Sequence, residues 1–259
     1  MYKKILLGAG LFALGALGAI WNTSKNKEEK MPQIGDRAPE FSAISTKGEI
    51  TFPQNYKGKW VVFFSHPADF TPVCTTEFMA FQNSLEKFKE LNTELLGLSV
   101  DDVETHKMWI NSIYEELEFK GVRNIQIDFP IIDDKDGKIA HKYGMLQKDY
   151  SDNKTVRAVF IIDPHSTIRA IIYYPQSCGR NIPEILRVVK SLQTTDQFNV
   201  ATPADWVIGD DVIIPISEHV YLMSDKELKK ERIICKDWYL CTKELSKTTI
   251  ENEIKNENC

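Results

Sequence analysis

The order of apolar and polar positions along the chain predicts alternating strands and helices from residue 31 onward. Residues 60–65, WVVFFS, form a continuous apolar run, which is typical of a strand buried on both faces of a sheet. Residues 75–92 repeat apolar side chains at helical spacing, and a strand at 93–100 and a helix at 103–118 follow. This alternation predicts an α/β fold.

The second half of the pattern predicts two more strands joined by a short connection. VRAVFIID (156–163) and TIRAIIYYP (167–175) flank Pro-His-Ser and indicate an antiparallel hairpin. Before them, FPIIDD leads through the turn signal KDG into a short helix that reaches Tyr143. After them, residues 181–193 form a predicted helix with Asn181 as its candidate N-cap. A hairpin added to strand–helix units predicts a mixed sheet.

The character of the sequence divides the chain into three parts. Residues 1–30 combine a basic start, the apolar run from Ile5 to Ile20 and a Lys-rich linker. This segment is compatible with a signal peptide, with an uncleaved membrane anchor, or with a functional chain that begins at Met31. Residues 31–195 carry the predicted α/β domain, and the charge-rich residues 196–259 are predicted to form a small C-terminal extension.

Composition and cysteine usage narrow the class of protein. The chain is 42% apolar and 27% charged with a net charge of −5, so nucleic acid is not expected as a partner. Five scattered cysteines are not the dense even framework of a small secreted domain, and they favour a reducing, cytoplasmic compartment. Cys178 and Cys259 stand in no motif and are expected to be small buried hydrophobes.

Cys74 stands at the predicted start of a helix, soon after the buried strand. Thr71 precedes Pro72, and proline is favoured at the first helical position, so Thr71 is the candidate N-cap. Cys74 then falls in the first turn, where unpaired backbone N–H groups favour a thiolate over a thiol. Pro67 lies earlier in the same segment and could shield the sulfur from water. The pattern favours a reactive cysteine over a small residue that merely plugs the helix start.

A thiolate needs a cationic neighbour, and Arg157 is the candidate. Arg157 shares a strand face with Val159 and Ile161, where a guanidinium is unfavourable unless an anion meets it. The alternative is an arginine at a strand end whose head group reaches solvent. Arg180, just before the last predicted helix of this part, is a second and weaker candidate.

Pro67, Thr71 and Cys74 have the P-x-x-x-T-x-x-C spacing of the peroxiredoxin active-site motif. SHPADFTPVCTTEF resembles the 1-Cys (Prx-six type) subfamily in particular. The similarity continues in order through LSVDD, FPIIDD, RAVFIID, YPQSCGRNIPEILRVVKSLQ and VATPADW, from residue 31 to about residue 250. The resemblance implies a thioredoxin-like fold and a thiol peroxidase that uses neither a cofactor nor a metal.

The resemblance also implies a role for each matching residue. Cys74 would attack the O–O bond of hydrogen peroxide or an organic hydroperoxide and become a sulfenic acid. Thr71 would hydrogen-bond the peroxide, Arg157 would bind substrate and stabilise the thiolate, and Pro67 would shelter the sulfur. The residues that match the supporting polar positions are Glu77, Arg180 and His66.

Two further cysteines, Cys235 and Cys241, stand in CKDWYLC. Five residues separate them and no histidine lies nearby, so the spacing does not favour zinc. The stretch resembles the C-terminal cysteine pair of archaeal-type members of the subfamily, which strictly 1-Cys members lack. That likeness implies that Cys241 resolves the sulfenic acid of a partner subunit, with Cys235 as an auxiliary.

The same likeness implies homodimers that assemble into a ring, a homodecamer, and recycling by a thioredoxin-type dithiol. A rival from another class uses the same activated Cys74 in a redox-sensing relay or a holdase chaperone ring. Both functions need an activated cysteine, so the sequence leaves the two open.

Overall fold

The computed structural model describes residues 31–146, 154–217, 220 and 222–256. The apolar N-terminal run and Cys259 lie outside the described residues, and the expectations for them stay predictions. Within the described ranges, no helix has both the length and the apolar character that crossing a membrane requires.

The described residues form strands and helices that are numbered here in chain order. The strands are β1 (Phe41–Ser45), β2 (Gly48–Phe52), β3 (Trp60–Ser65), β4 (Thr93–Ser99), β5 (Glu118–Phe119), β6 (Val122–Arg123), β7 (Ile131–Asp133), β8 (Arg157–Ile162), β9 (Ile168–Tyr174), β10 (Val212–Ile213), β11 (Ile233–Asp237) and β12 (Leu240–Lys243). The helices are α1 (Pro72–Asn83), α2 (Leu85–Lys89), α3 (Val103–Glu116), α4 (Lys138–Lys142), α5 (Ile182–Phe198), α6 (Asp225–Lys230) and α7 (Lys247–Asn256).

A seven-stranded sheet with the order β2-β1-β7-β4-β3-β8-β9 forms the centre of the fold. Strands β3, β4 and β7 run parallel, whereas β8 pairs antiparallel with both β3 and β9. The predicted hairpin and the predicted mixed sheet are therefore confirmed, and the arrangement is the thioredoxin-like α/β fold. β3 lies inside the sheet, and all six of its residues are buried.

Alternate residues of β3 serve two separate hydrophobic clusters because side chains of a strand alternate between the faces of a sheet. Val62 and Phe64 belong to the cluster that contains Cys74, together with apolar side chains of α1, α3 and α5. Val61 and Phe63 belong to the cluster on the opposite face, with side chains of α4 and β2. This burial on both faces explains why β3 reads as a continuous apolar run.

Three helix predictions differ from the structure in their extent. The helix predicted over 103–118 ends at Glu116, and Glu118 belongs to β5. The helix predicted over 75–92 is two helices, because the backbone N–H of Ser84 bonds to the carbonyl of Phe81, three residues back, which tightens the turn. Asn181 accepts from the backbone of Glu184 and caps α5 as predicted. That helix continues to Phe198 rather than ending at residue 193. Its added turn buries the polar side chain of Thr194, which an apolar pattern does not signal.

The C-terminal region consists of a small antiparallel sheet, β10-β12-β11, with α6 and α7. Ile250 and Ile254 of α7 are buried in the same hydrophobic cluster as Cys74, and so is Trp206. The predicted small extension is present, and it shares the core of the main sheet. α5 runs across the predicted boundary at residues 195 and 196, so the exact division stays a prediction.

Candidate active site

Cys74 lies in the first turn of α1, at the carboxyl end of β3. α1 begins at Pro72, and Thr71 occupies the N-cap position in an extended conformation, as the sequence predicts. The Thr71 side chain does not cap the helix; its hydroxyl donates to the carbonyl oxygen of Ala68 at 2.8 Å. The Cys74 side chain is 0% exposed and forms no disulfide.

Arg157 reaches Cys74 from β8. Its Nη1 donates to the Sγ of Cys74 at 3.3 Å and to a carboxylate oxygen of Glu77 at 2.7 Å. Its Nε and Nη2 both donate to the carbonyl oxygen of Gln176, at 2.9 and 2.7 Å. Arg157 is 3% exposed, so the alternative of a strand-end arginine reaching solvent is wrong.

Glu77, one turn beyond Cys74, joins Arg157 to Arg180. The Arg180 Nε donates to Oε1 of Glu77 at 3.0 Å, and its Nη2 donates to Oε2 at 2.7 Å. Burial alone would raise the pKa of Glu77, but the charges and hydrogen bonds of Arg180 and Arg157 lower it below its usual value. Glu77 is therefore an ionised carboxylate between two guanidinium groups.

The charged side chains of this buried cluster do not balance one another. Arg157 and Arg180 carry two positive charges and Glu77 carries one negative charge, and all three side chains are buried. One positive charge is therefore left over in a medium of low polarity, which favours an anion beside the two guanidinium groups. The Cys74 sulfur lies beside this excess positive charge and accepts a hydrogen bond from Arg157.

The remaining residues carried over from the resemblance lie around the start of α1. Pro67 is buried in the loop between β3 and α1, and Thr71 is half-buried. His66 is buried directly after β3, and its ring packs against Phe78 and Trp109.

A hydrogen-bonded triad of His66, Asp69 and His106 is the feature that sequence reasoning missed. The Nε2 of His66 donates to one oxygen of Asp69 at 2.8 Å, and the Nδ1 of His106 donates to the other at 2.6 Å. The Nε2 of His106 also donates to the carbonyl oxygen of Ile132 at 3.1 Å. With both ring nitrogens donating, His106 is an imidazolium.

The pKa shifts agree with these proton positions. Burial opposes a charge on His106, but the hydrogen bond and charge of Asp69 outweigh it and raise the pKa of His106. Burial dominates at His66 and lowers its pKa, so that ring is neutral and its Nδ1 is left buried with an unshared lone pair. Burial alone would raise the pKa of Asp69, but the hydrogen bonds and charges of the two histidines outweigh burial and lower this pKa below its usual value. Asp69 is therefore ionised.

The triad also has the residue types of a metal site. One ligand atom from each of His66, Asp69 and His106 lies within 4.8 Å of the others. In the structure these atoms are bonded to each other through protons, which a metal ion would have to displace. The arrangement is accounted for as a hydrogen-bonded network that fixes the loop before α1 against α3.

The other cysteines of the described residues lie outside the cluster around Cys74. Cys235 on β11 and Cys241 on β12 are directly opposite each other and form a disulfide. Cys178 is exposed, so the expectation that it is a buried hydrophobe is wrong. Its backbone N–H bonds to the carbonyl of Pro175, in a turn that carries the side chain at the surface.

Comparisons with known proteins point to one family. The model of the AhpC/TSA family matches residues 34–171, and the model of the C-terminal domain of 1-Cys peroxiredoxin matches residues 191–221. The chain is 53% identical to a peroxiredoxin of Methanosarcina mazei over 214 residues, which cover 82% of this chain and 98% of that protein. It is 47% identical to a peroxiredoxin of Thermotoga maritima over 222 residues, 84% of this chain and all of that protein.

Solved structures of other peroxiredoxins share the fold, and two of them illustrate the similarity. The yeast mitochondrial 1-Cys peroxiredoxin matches with a TM-score of 0.72 and 41% identity, over 83% of this chain and 100% of that chain. A cysteine-to-serine mutant of peroxiredoxin 6 from Arenicola marina matches with a TM-score of 0.71 and 36% identity, over 82% of this chain and 98% of that chain.

Proposed function

The chain belongs to the peroxiredoxin family and is a thiol peroxidase, and from this premise we propose that Cys74 is its peroxide-reducing residue. The observation that carries the proposal is the buried cluster in which Arg157 donates to the Cys74 sulfur while sharing Glu77 with Arg180. This cluster favours the thiolate, which is the nucleophilic form of cysteine.

The chemistry follows from the arrangement of donors around the sulfur. The Cys74 thiolate attacks one peroxide oxygen, the O–O bond breaks, and the departing oxygen takes its electron pair and a proton as water or an alcohol. Cys74 becomes a sulfenic acid. Arg157 would stabilise the negative charge as this charge moves from the sulfur to the departing oxygen. The Thr71 hydroxyl is the second candidate donor to the peroxide.

A peroxide-consumption assay tests this function. Reduced protein is mixed with hydrogen peroxide, a thioredoxin, its reductase and NADPH, and a parallel sample receives dimedone to trap sulfenic acid. We expect peroxide-dependent NADPH oxidation and a dimedone adduct on the peptide that contains Cys74. A preparation that suppresses aggregation of a client protein but consumes no peroxide would instead establish the holdase function.

Removal of the Arg157 charge is expected to slow the oxidation of Cys74. In Arg157→Met the side-chain volume is kept, but the donor to the sulfur is lost, and we expect the rate constant with hydrogen peroxide to fall about 10²-fold. Arg123→Met, which removes an exposed arginine paired with Glu118, is the matched control and should leave the rate unchanged. Rapid mixing followed by alkylation of the remaining thiol measures both, and equal rates would contradict the role of Arg157.

The sulfenic acid must be reduced before it is oxidised further. We propose that Cys241 of a second copy of the chain resolves it and that a thioredoxin-type dithiol completes the cycle. The pair CKDWYLC and the homodimer that the family implies support this step. A decameric ring and a cytoplasmic location are further parts of the proposal. Among the similar proteins, the yeast mitochondrial 1-Cys peroxiredoxin has a thiol resolving mechanism via glutathione/thioredoxin systems, which supports a reductant of this kind.

A further inference from the structure

Asp69 ties the loop between β3 and α1, which carries Thr71, to two other parts of the fold. The backbone N–H of Asp69 donates to the carboxylate of Asp101 at 2.9 Å, in the loop between β4 and α3. The Asp69 carboxylate accepts from His106 of α3 and from His66 at the start of its own loop. Asp69 is buried, so these bonds are shielded from water and fix the main chain at this residue.

The residue between Asp69 and Thr71 has a backbone conformation that needs such support. Phe70 has a φ of 53°, in the left-handed region that residues other than glycine rarely adopt. Its side chain is 54% exposed, so burial of the ring contributes little to holding this turn. A strained backbone persists only where its surroundings over-determine it. The contacts of Asp69 on one side and of Thr71 on the other therefore hold the turn.

The contacts of Thr71 also lead to α3. The Thr71 hydroxyl donates to the carbonyl oxygen of Ala68, and the Thr71 carbonyl oxygen accepts from the Thr75 hydroxyl, both at 2.8 Å. The hydroxyl oxygen of Thr75 in turn accepts from the indole N–H of Trp109 at 3.2 Å. Trp109 and His106 are three residues apart, so they lie on the same face of α3. This face of α3 supports Thr71 from both directions along the chain.

We propose that His106 is a positioning residue for peroxide reduction. Through Asp69 it holds the turn that places the Thr71 hydroxyl for the peroxide that Cys74 attacks, and it does so fully only as an imidazolium. The inference rests on the proposed roles of Cys74 and Thr71. It predicts that oxidation of Cys74 slows in alkaline solution, where His106 loses its proton.

The two hydrogen bonds of the His106 ring explain why its proton matters. Its Nδ1 donates to Asp69 at 2.6 Å and its Nε2 donates to the carbonyl oxygen of Ile132 at 3.1 Å. A neutral imidazole has only one N–H, so loss of the proton removes one of these bonds. It also removes the positive charge beside the buried Asp69 carboxylate, and an uncompensated buried charge is unfavourable. Both effects weaken the hold of α3 on the loop.

The surroundings of His106 set the direction of the pH dependence. The titratable groups around this ring and the start of α3 are the carboxylates of Asp69, Asp101, Asp102 and Asp133 and the ring of His66. Burial opposes a charge on His106, but Asp69 outweighs burial, and the pKa of His106 lies above its ordinary value of 6.5. The hold is therefore complete below that value and is lost as the pH rises through the folded pKa.

Single-turnover oxidation of the full chain tests the inference. Reduced wild type, His106→Asn and His141→Asn are mixed rapidly with hydrogen peroxide between about pH 5.5 and about pH 9.5, and loss of the Cys74 thiol is followed by alkylation. The amide nitrogen of asparagine can take the place of Nδ1 and donate to Asp69, but it carries no charge and does not titrate. His141 is exposed on α4, so His141→Asn is the matched control.

The expected result is a fall in rate on the alkaline side that depends on His106. In wild type and His141→Asn the rate constant should rise to a plateau as the thiolate forms and then fall about tenfold, because Thr71 is no longer held in place. The fraction of thiolate only grows with pH, so Cys74 itself cannot cause this fall. In His106→Asn the rate constant should lie about tenfold below the wild-type plateau and show no alkaline fall. A wild-type rate without an alkaline fall, or the same fall in His106→Asn, would overturn the inference.

Two further measurements separate positioning from a general structural role. The ultraviolet absorbance of the Cys74 thiolate, taken as the difference from Cys74→Ser, should follow the same pH curve in wild type and His106→Asn. Circular dichroism of wild type should stay constant across the alkaline fall, and a fall that coincides with unfolding would contradict the inference. If Cys74 is oxidised at no pH, the proposed function itself is wrong, whereas oxidation without an alkaline fall contradicts the role of His106 alone.

Discussion

Replacement of Cys74 by serine is expected to abolish peroxide turnover. The serine hydroxyl fits the same space and can still accept the hydrogen bond from Arg157, so the fold should be retained. A hydroxyl stays protonated at neutral pH, however, and its oxygen does not attack an O–O bond as a thiolate does. We expect peroxide-dependent NADPH oxidation to fall by about 10⁴-fold or more.

The matched control is Cys178→Ser, which makes the same chemical change at an exposed cysteine. Its turnover should stay within about twofold of the wild type, because surface substitutions away from such a site have small effects. Circular dichroism of both variants checks that they are folded. If Cys74→Ser kept substantial turnover, or Cys178→Ser lost it, the nucleophile would have to be sought at another cysteine.

The main strands and helices between residues 60 and 198 could be predicted because their signals are local. The apolar run of β3 and the hairpin of β8 and β9 are each indicated by a few consecutive residues, and both predictions are confirmed. Errors arise where polar groups are buried. Thr194 lies in the turn that extends α5 beyond its predicted end, and its buried hydroxyl donates to the carbonyl of Lys190 at 2.8 Å, which no apolar pattern indicates.

The residues of the site also divide into those with a local sequence signal and those that depend on distant contacts. The position of Cys74 at a helix start is a local signal, and the strand face of Arg157 points toward an anionic partner. The triad depends on distant contacts: Asp69 meets His106 from α3, 37 residues further along the chain. A weak signal exists in the short spacing of His66 and Asp69, but the placement of His106 follows from the packing of α3. Cys235 and Cys241 pair because a hairpin places them in register, and their spacing alone does not specify that register.

Replacement of Glu77 by glutamine is expected to destabilise the fold strongly. The carboxylate lies between two guanidinium groups, at 2.7 Å from a nitrogen of each. Glutamine has nearly the same size but no charge, so Arg157 and Arg180 would remain buried with like charges side by side. Breaking a buried ion pair in this way typically costs about 3–5 kcal/mol of unfolding free energy. Chemical denaturation at pH 7 measures the loss, and activity should fall with it because Arg157 loses an anchor.

Two comparisons make this prediction specific. Glu184→Gln breaks a half-exposed ion pair with Arg187 and should cost no more than about 1 kcal/mol. The second comparison is the pH dependence of the stability difference between wild type and Glu77→Gln. Because the folded pKa of Glu77 is lowered below its ordinary value of 4.5, its contribution is complete above that value and is lost as the pH falls through the folded pKa. The stability difference between wild type and Glu77→Gln should therefore be constant above about pH 5.5 and shrink in more acidic solution. An equal and pH-independent loss in Glu77→Gln and Glu184→Gln would contradict the placement of an ionised Glu77 between the two arginines.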